Sequence, residues 1–236
     1  MRTSKAIRAP IYGNSERGDA ARKKLIEAGL KIFSELGYKG ASTRSLAAAA
    51  GVNVAAIPYY FGSKEGLYIA VIDYIIDYHQ KGLGDFLAKI QRALLNERTT
   101  RTEYRELFDE YMRTLIYFVL QEGRERSQIS HICIREQLDP TSAFDRLYEG
   151  FIHHAQETVA ALVGCIVGAN IPASEVKLVT QTLLGQISVF ILSKETILHN
   201  MDWKNYGEKG VTEIERVVMF HQNVIMQAYQ KKIPPP

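Results

Sequence analysis

Residues 41–66, ASTRSLAAAAGVNVAAIPYYFGSKEG, contain several side chains that can bind to a nucleic acid. The guanidinium group of Arg44 can donate two parallel hydrogen bonds to a guanine edge. The hydroxyls of Tyr59 and Tyr60 and the ammonium group of Lys64 can donate to phosphate oxygens. One short stretch thus combines a group able to read a base with groups able to hold a backbone.

Two short helices must position these side chains. Ser42 can cap the first helix, and Asn53 can cap the second, because both have a side-chain oxygen suited to an N-cap. Gly51 lies between them and predicts a tight turn. A short helix, a turn containing glycine and a second short helix form the pattern of a helix-turn-helix.

The second of these helices is predicted to have an apolar outer face. Ile57 and Phe61 are four residues apart and share the buried face, so Val54, Ala55 and Pro58 must point elsewhere. Small apolar side chains allow close approach to a major groove and can pack on thymine methyl groups. Pro58 also removes one intrahelical hydrogen bond and tends to tighten or kink the helix. The alternative is a tight helical corner whose tyrosines pack on the rest of the chain.

Composition and charge set the wider frame. The chain has 236 residues, of which 46% are hydrophobic, and this predicts a globular protein. Residues 1–64 carry 11 Lys and Arg against 4 Asp and Glu, whereas the remainder carries 18 against 22, so the basic part comes first. Two distant cysteines, Cys133 and Cys165, favour a reducing cytoplasmic location. The apolar run at 159–169 is shorter than the roughly 20 residues that span a bilayer, so no membrane partner is expected.

Helical periodicity dominates and predicts an all-α protein with an N-terminal three-helix domain joined to a larger helical domain. The predicted organisation is a flexible basic arm at 1–18, a helix-turn-helix domain at 19–64 and a helical domain for ligand binding and dimerisation at 65–236. The first helix is expected from Asp19, as N-cap, to Leu36, as the last buried residue of its stripe. The other predicted helices are Ser63–Leu83 and, beyond a break near 96–102, 103–120, 128–137, 141–164, 173–198 and 211–231.

No arrangement typical of catalysis stands out, so an enzyme is not expected, nor a cofactor. A helical metal-dependent enzyme or metal sensor is a rival interpretation, in which His131, Cys133, His153 and His154 assemble a zinc site. Neighbouring residues on a helix diverge by about 100°, so His153 and His154 cannot both bind one ion without help from elsewhere.

The aromatic-rich helices of the second domain predict a cavity for a small, mainly apolar effector that is neutral or carries one anionic group. The alternative is an ordinary core in a DNA-binding protein that has no effector. Candidate effector contacts are apolar residues and polar groups among apolar neighbours: Phe108, Met112, Arg113, Arg135, Gln186 and Phe190.

Two helices near the C-terminus, 173–198 and 211–231, carry broad apolar surfaces. Such surfaces suit helices that pack both on their own domain and on a second copy of the chain, so these helices are predicted to form a homodimer interface. The stripes from which this is inferred are Val176, Val179, Leu183, Ile187, Phe190 and Ile197, and then Ile214, Val217, Val218, Val224 and Ile225.

Residues 43–67, T-R-x-x-A-x-x-A-G-V-x-x-x-x-I-x-Y-Y-F-x-S-K-x-x-L, resemble the DNA-binding domain of TetR-type transcriptional regulators. The segments IREQLDPTSAF (134–144) and GQISVFILSKETIL (185–198) are similar to the CecR-like branch. The resemblance implies base contacts by Arg44, Val54, Ala55 and Pro58, and backbone contacts by Thr43, Ala56, Tyr59, Tyr60 and Lys64; Asn53, the cap, is placed in the same DNA-binding set.

The resemblance also implies a four-helix dimer interface. The function expected from the residues and the resemblance together is that of a dimeric, ligand-responsive regulator. We expect a repressor that a small molecule releases from a palindromic operator on double-stranded DNA. Two recognition helices about 34 Å apart would match successive major grooves on one face of the duplex.

Overall fold

The computed structural model describes residues 16–168 and 170–231, and every regular element within these ranges is helical. The predicted all-α class is therefore confirmed. The predicted basic arm falls mostly on residues 1–15, which lie outside the described residues. Helix α1 (Glu16–Gly40) begins before Asp19, so Asp19 lies inside the helix and is not its N-cap as predicted.

The chain divides into two compact units. The first unit ends at Val71 and the second begins at Ile72. Both residues lie inside α4 (Lys64–Leu95). The boundary therefore falls within a helix, a few residues beyond the predicted domain end at residue 64.

The first unit contains α1, α2 (Thr43–Ala50), α3 (Ala56–Phe61) and the first turns of α4. Its fully buried side chains come from all four helices and include Leu25, Phe33, Leu46, Ile57 and Leu67. Leu36, which was predicted to join this core, is 51% exposed. The helical geometry of α1 breaks at the next residue, Gly37, where φ is 70°, and the last buried residue before this break is Ser34.

The second unit is a bundle around one central helix. Its elements after α4 are α5 (Arg101–Leu120), α6 (Arg124–Leu138), α7 (Phe144–Leu147), a π-helical turn (Tyr148–Ile152), α8 (His153–Val167), α9 (Ala173–Leu192), α10 (Lys194–Asn200) and α11 (Gly207–Gln230). Helix α8 packs against α5, α9 and α11. Its apolar residues are buried on several sides, which is typical of a helix enclosed by its neighbours.

Helix α4 is longer than the predicted Ser63–Leu83, because it continues to Leu95 through two glycines. Gly82 does not end the helix but makes room for a neighbour. A Cβ atom at Gly82 would lie 2.1 Å from a ring carbon of Phe118. A sequence pattern cannot distinguish a glycine that ends a helix from one that admits an aromatic ring.

Two other predicted helices are interrupted. The segment 141–164 contains the π-helical turn, in which the His153 N–H donates to the Tyr148 carbonyl. The segment 173–198 is divided at Ser193, where α9 ends and α10 begins. Neither interruption was predicted from the sequence, because both depend on local backbone hydrogen bonds and not on which residues are apolar.

By length and composition, α9 is the one described helix that could span a membrane, with a mean hydropathy of 1.3 over 18 residues. This is weak evidence for a membrane, because core helices of globular proteins pass the same test. Only 28% of that window is buried inside the chain. Much of its apolar surface, including Leu178, Val189 and Leu192, therefore has no covering in the described chain.

His79 on α4 packs between the rings of Phe118 and Phe151, at centroid distances of 5.6 Å and 5.0 Å. Burial lowers the pKa of His79, because it disfavours the imidazolium ion, although the Ile75 carbonyl at 2.8 Å from Nδ1 favours it. The unfolded chain therefore takes up this proton at higher pH than the folded chain. The contribution of His79 to stability is complete above about pH 6.5 and falls as the pH drops towards its folded pKa.

We expect His79→Gln to flatten the fall in unfolding free energy from about pH 6.5 downward. The measurement is denaturant unfolding at several pH values and one fixed protein concentration. The matched control is His131→Gln, since His131 is an exposed histidine of the same unit. An equally steep fall in His79→Gln and in the unchanged protein would contradict the assignment.

Candidate nucleic-acid interface and ligand cleft

Helix α2 is fixed at its start by a reciprocal cap. The Ser45 N–H donates to Ser42 Oγ, and the Ser42 N–H donates to Ser45 Oγ, each at 3.0 Å. Leu46 and Ala47 face the core, and Arg44 is exposed on the opposite side. Within the described residues Arg44 forms no hydrogen bond or salt bridge, so its donors remain available to a ligand.

The turn after α2 has the left-handed glycine that the pattern predicts. Gly51 has φ 63° and ψ 36°, and the Val52 N–H donates to the Ala47 carbonyl at 3.1 Å. Such a conformation favours glycine because a Cβ atom is strained there. Asn53 follows, and its Oδ1 accepts from the Ala55 N–H at 2.9 Å, which stabilises the turn before the next helix. The predicted N-cap at Asn53 is wrong, because α3 begins at Ala56, with Ala55 as its N-cap and no side-chain cap hydrogen bond.

Pro58 tightens the beginning of α3. Since Pro58 has no backbone N–H, the Val54 carbonyl accepts instead from the Ile57 N–H at 3.2 Å, three residues along. The Tyr59 N–H then donates to the Ala55 carbonyl at 3.2 Å, four residues along. The first turn is therefore tighter than the next, as a proline at this position favours.

The outer face of α3 and of the two residues before it is apolar, as the spacing predicts. Ile57 is fully buried, whereas Val54 is 42% and Tyr59 is 64% exposed. Ala55 and Pro58 are exposed as well. Thr43, Ala56 and Tyr60 are intermediate in exposure. Contact of these residues with DNA stays a prediction, but the outward face that such contact needs is present.

Lys64 has a role that the sequence did not indicate. Its Nζ donates to the Tyr38 carbonyl at 3.0 Å and to the Ala41 carbonyl at 3.1 Å, and lies 4.3 Å from the centre of the Tyr38 ring. An ammonium group has three donors, so one remains for a phosphate. Lys64 therefore first of all ties the start of α4 to the end of α1.

Gly66 is a second structural residue that sequence reasoning missed. A Cβ atom at Gly66 would lie 1.9 Å from the Phe61 carbonyl oxygen. Real Cβ atoms do not approach a backbone oxygen so closely, so the end of α3 can pack here only against glycine. A glycine in the first turn of an otherwise regular helix was the available indication.

Gly66→Ala should lower the unfolding free energy by about 1 to 3 kcal/mol, because the backbone of α3 must move. Gly84→Ala, on the same helix, is the matched control: nothing lies within 4 Å of its Cβ position. Its expected effect is a stabilisation of about 0.5 to 1 kcal/mol, since alanine favours a helix over glycine. Denaturant unfolding of both variants measures the difference, and equal shifts would show that Gly66 is not sterically required.

The second unit has a cleft of about 540 Å³ between the α5–α6 connection and the α9–α10 junction. Of the predicted effector contacts, Phe190 lines this cleft. Phe108 and Met112 do not, because their face of α5 is fully buried in the core. Arg113 does not line it either; its Nε donates to Glu215 at 2.9 Å.

Two further predicted contacts lie outside the cleft lining. Gln186 has a buried Oε1 without a hydrogen-bond partner in the described chain. Arg135 is exposed on α6. A smaller cavity of about 430 Å³ lies between α4, the π-helical turn and α8, and is lined by residues such as Gln80, Gln91 and His154.

The proposed zinc ligands do not come together. The described residues contain no group of three side chains able to hold a metal ion. His153 Nδ1 lies 3.3 Å from Tyr148 Oη, and His154 Nε2 lies 2.9 Å from Gln91 Nε2. Burial raises the pKa of the Cys133 thiol to about 12, and the nearby Glu136 carboxylate adds to this, which disfavours a thiolate ligand.

The sequence matches two described families, one in each part of the chain. Residues 25–71 match bacterial regulatory proteins of the tetR family, and residues 104–229 match the C-terminal domain of the HTH-type transcriptional dual regulator CecR. CecR of Shigella flexneri is 33% identical over 92% of this chain and 96% of its own length. The HTH-type transcriptional regulator RutR of Escherichia coli (strain K12) is 42% identical over 66 residues, which is 28% of this chain and 31% of RutR.

The fold is similar to that of solved regulators. A putative transcriptional regulator from Pseudomonas aeruginosa PAO1 matches with a TM-score of 0.59 and 14% identity, covering 89% of this chain and 92% of that one. At this identity the likeness concerns the fold alone. The sequence matches go further, because together they extend over both units. The chain belongs to the TetR family of bacterial transcriptional regulators, in the branch of CecR.

Proposed function

We propose that the protein is a homodimeric repressor that binds a palindromic operator and that a small molecule releases. The observation that carries the DNA-binding part is the outward apolar face of α3 beside the available guanidinium of Arg44. Small apolar side chains contact thymine methyl groups, and arginine pairs with guanine, so this surface can distinguish bases directly.

The dimer is supported by large apolar side chains that are exposed on α9 and on α11. On α11, Val217, Phe220 and Val224 are 37%, 64% and 51% exposed. On α9, Leu178 and Val189 are 68% and 46% exposed, so they lie on the surface of the second unit. Large contiguous apolar surfaces on soluble proteins mark interaction sites, and a surface of two helices can pack on its own copy.

The sequence stripes from which the interface was inferred belong mostly to the core. Val179, Leu183 and Ile187 on α9 and Ile214 and Val218 on α11 are buried within the second unit. Val217 and Val224 belong to the α11 stripe as well but are exposed, and they are proposed for the dimer contact together with Phe220, Leu178 and Val189, which lie outside the stripes. Each helix therefore has one apolar face for its own core and a second for the partner, as its breadth of apolar surface predicts.

The effector acts in this proposal by linkage. A ligand that binds more tightly to a dimer whose recognition helices do not match two major grooves must weaken DNA binding by the same factor. A coupling free energy of about 1 to 3 kcal/mol is the usual size of such an effect. The cleft of the second unit supports the presence of a ligand site, and a constitutive DNA binder is the alternative that the experiment distinguishes.

Selection of bound sequences from a random DNA pool tests the proposal. We expect an inverted repeat whose half-site centres lie about 10 base pairs, or a multiple, apart. A reporter gene under this operator should then be expressed less when the protein is present. Enrichment of a single half-site would contradict a symmetric dimer, and increased expression would contradict repression.

Lys64→Ala and Tyr60→Phe should weaken binding to specific and non-specific DNA by similar factors, because phosphate contacts do not read sequence. The structure separates the two variants: Lys64→Ala should also lower the melting temperature, since two backbone carbonyls lose their donor. Tyr60→Phe should leave the melting temperature nearly unchanged. Binding titrations at several salt concentrations measure the effect, and a loss confined to the specific operator would contradict it.

A further inference from the structure

Three cations line the cleft of the second unit without an acidic partner. They are Arg124, Arg126 and Lys194. None of the three forms a salt bridge within the described chain. This differs from Lys89, Arg113 and four other cations of the same unit, whose charges are paired. Positive charge without a partner is available to a ligand.

Arg126 is held in place by neutral groups. Its Nε donates to Tyr78 Oη at 2.8 Å, and its Nη1 donates to Gln121 Oε1. Its guanidinium carbon lies 5.9 Å from the centre of the Phe118 ring. These contacts fix the side chain and leave its charge uncompensated, so little conformational entropy is lost when an anion binds beside it.

The end of α9 and Tyr206 give the cleft its apolar lining. Phe190, Ile191 and Leu192 line it together with Tyr206. The Tyr206 hydroxyl donates to the Phe190 carbonyl at 2.6 Å, and Lys194 Nζ lies 5.7 Å from the centre of the Tyr206 ring. The cleft therefore offers an apolar surface within the same volume as its positive charge.

The net charge of the residues that line the cleft indicates the charge of the ligand it can bind. Glu122 and Glu195 also line the cleft, so its three cations and two carboxylates leave a net charge of +1 with histidine neutral. Helix α6 begins in the cleft after Gly123, which has no side chain to cap it, so the helix dipole adds to the attraction of an anion. A single negative charge balances the site, and a dianion exceeds it.

We propose that this cleft binds small amphipathic monoanions, with a carboxylate towards Arg124, Arg126 and Lys194 and an aliphatic or aromatic body against Phe190 and Tyr206. These molecules are the effector class, which rests on the proposed function. A cleft of about 540 Å³ lies within the roughly 300 to 1,000 Å³ of small-molecule sites.

The chain has its own reporter for this cleft. Trp203 is the single tryptophan, and its ring centroid lies 6.4 Å from that of Tyr206. The experiment titrates the full-length protein with octanoate and 1-octanol, and with 3-phenylpropanoate and 3-phenylpropan-1-ol, following tryptophan fluorescence and binding heat. Each pair shares its apolar body and differs in the carboxylate. We expect at least one carboxylate to bind at least tenfold more tightly than its alcohol.

The double substitution Arg124→Gln with Lys194→Gln should reduce this preference to less than about threefold. Neither residue is hydrogen-bonded by its side chain in the described chain, so the variant should fold, and circular dichroism checks this. Lys89→Gln, which removes a cation paired with Glu110 outside the cleft, should retain the full preference. Equal binding of acid and alcohol by the unchanged protein, or a preference retained by the double variant, would overturn the proposal.

A second measurement keeps the site separate from the proposed function. Operator binding by the same samples is followed by fluorescence anisotropy, with and without octanoate or 3-phenylpropanoate. Release from the operator that is lost in the double variant supports both proposals. Carboxylate binding in the cleft with unchanged operator affinity supports the site and contradicts release by this class of effector.

Discussion

Val224→Asp is expected to convert the protein to monomers and to abolish operator binding. Val224 is 51% exposed and lies on one face of α11 with Val217 and Phe220. A carboxylate there would be taken out of water when two copies meet, and an unpaired buried charge costs several kcal/mol. Each operator half-site provides only one half of the protein–DNA contact. A monomer therefore lacks the binding free energy of the second half-site.

Sedimentation of Val224→Asp measures its oligomeric state, and a binding titration measures its operator affinity. The matched control is Leu95→Asp, which places the same charge at a residue that is 84% exposed at the end of α4. This control should remain dimeric. Phe190→Asp, which the sequence alone suggests as an equivalent test, is unsuitable because Phe190 is half-buried in the ligand cleft. A dimeric Val224→Asp protein would place the interface elsewhere.

Arg44→Ala is expected to lower affinity for the specific operator by about 1 to 3 kcal/mol and to relax the preference at one base per half-site. Arg44 is the exposed guanidinium of α2, and its donors are unused by the described chain. An arginine on guanine makes two parallel hydrogen bonds that no other base reproduces. Alanine removes both, and the discrimination is lost with them.

Competition binding with operators that carry each of the four bases at the affected position measures this change. Arg98→Ala, an exposed arginine in the connection between α4 and α5, is the control and should bind every operator as before. If Arg44→Ala weakens binding to all sequences equally, Arg44 contacts a phosphate instead of a base.

Features set by neighbouring residues could be predicted from the sequence. Ser42 and Gly51 each act within a few residues of their own position, and the structure gives them the predicted capping and turning roles. The buried side of α3 followed likewise from the spacing of Ile57 and Phe61, although Phe61 is only half-buried beside Arg22.

Features set by distant contacts could not be predicted. Lys64 donates to carbonyls more than 20 residues away, a contact that no local pattern shows. Phe108 and Met112 have the composition of a ligand pocket, but only the packing of α5 against α8 shows that they are core. The cations of the cleft come from two distant segments, so their unpaired state appears only in the folded chain.

The segment from Val54 to Phe61, which ends in the six-residue helix α3, divides its residues between two separate tasks, and this division bears on how the protein can diversify. Ile57 and the contact of Phe61 with Gly66 hold the helix to its unit. Val54, Ala55 and Pro58 point away from that unit and contribute little to its packing. Substitutions at the outward residues can therefore accumulate during evolution with small effects on stability. Descendants of one ancestral chain can in this way acquire different operators and so govern different genes, while the fold and the dimer remain the same.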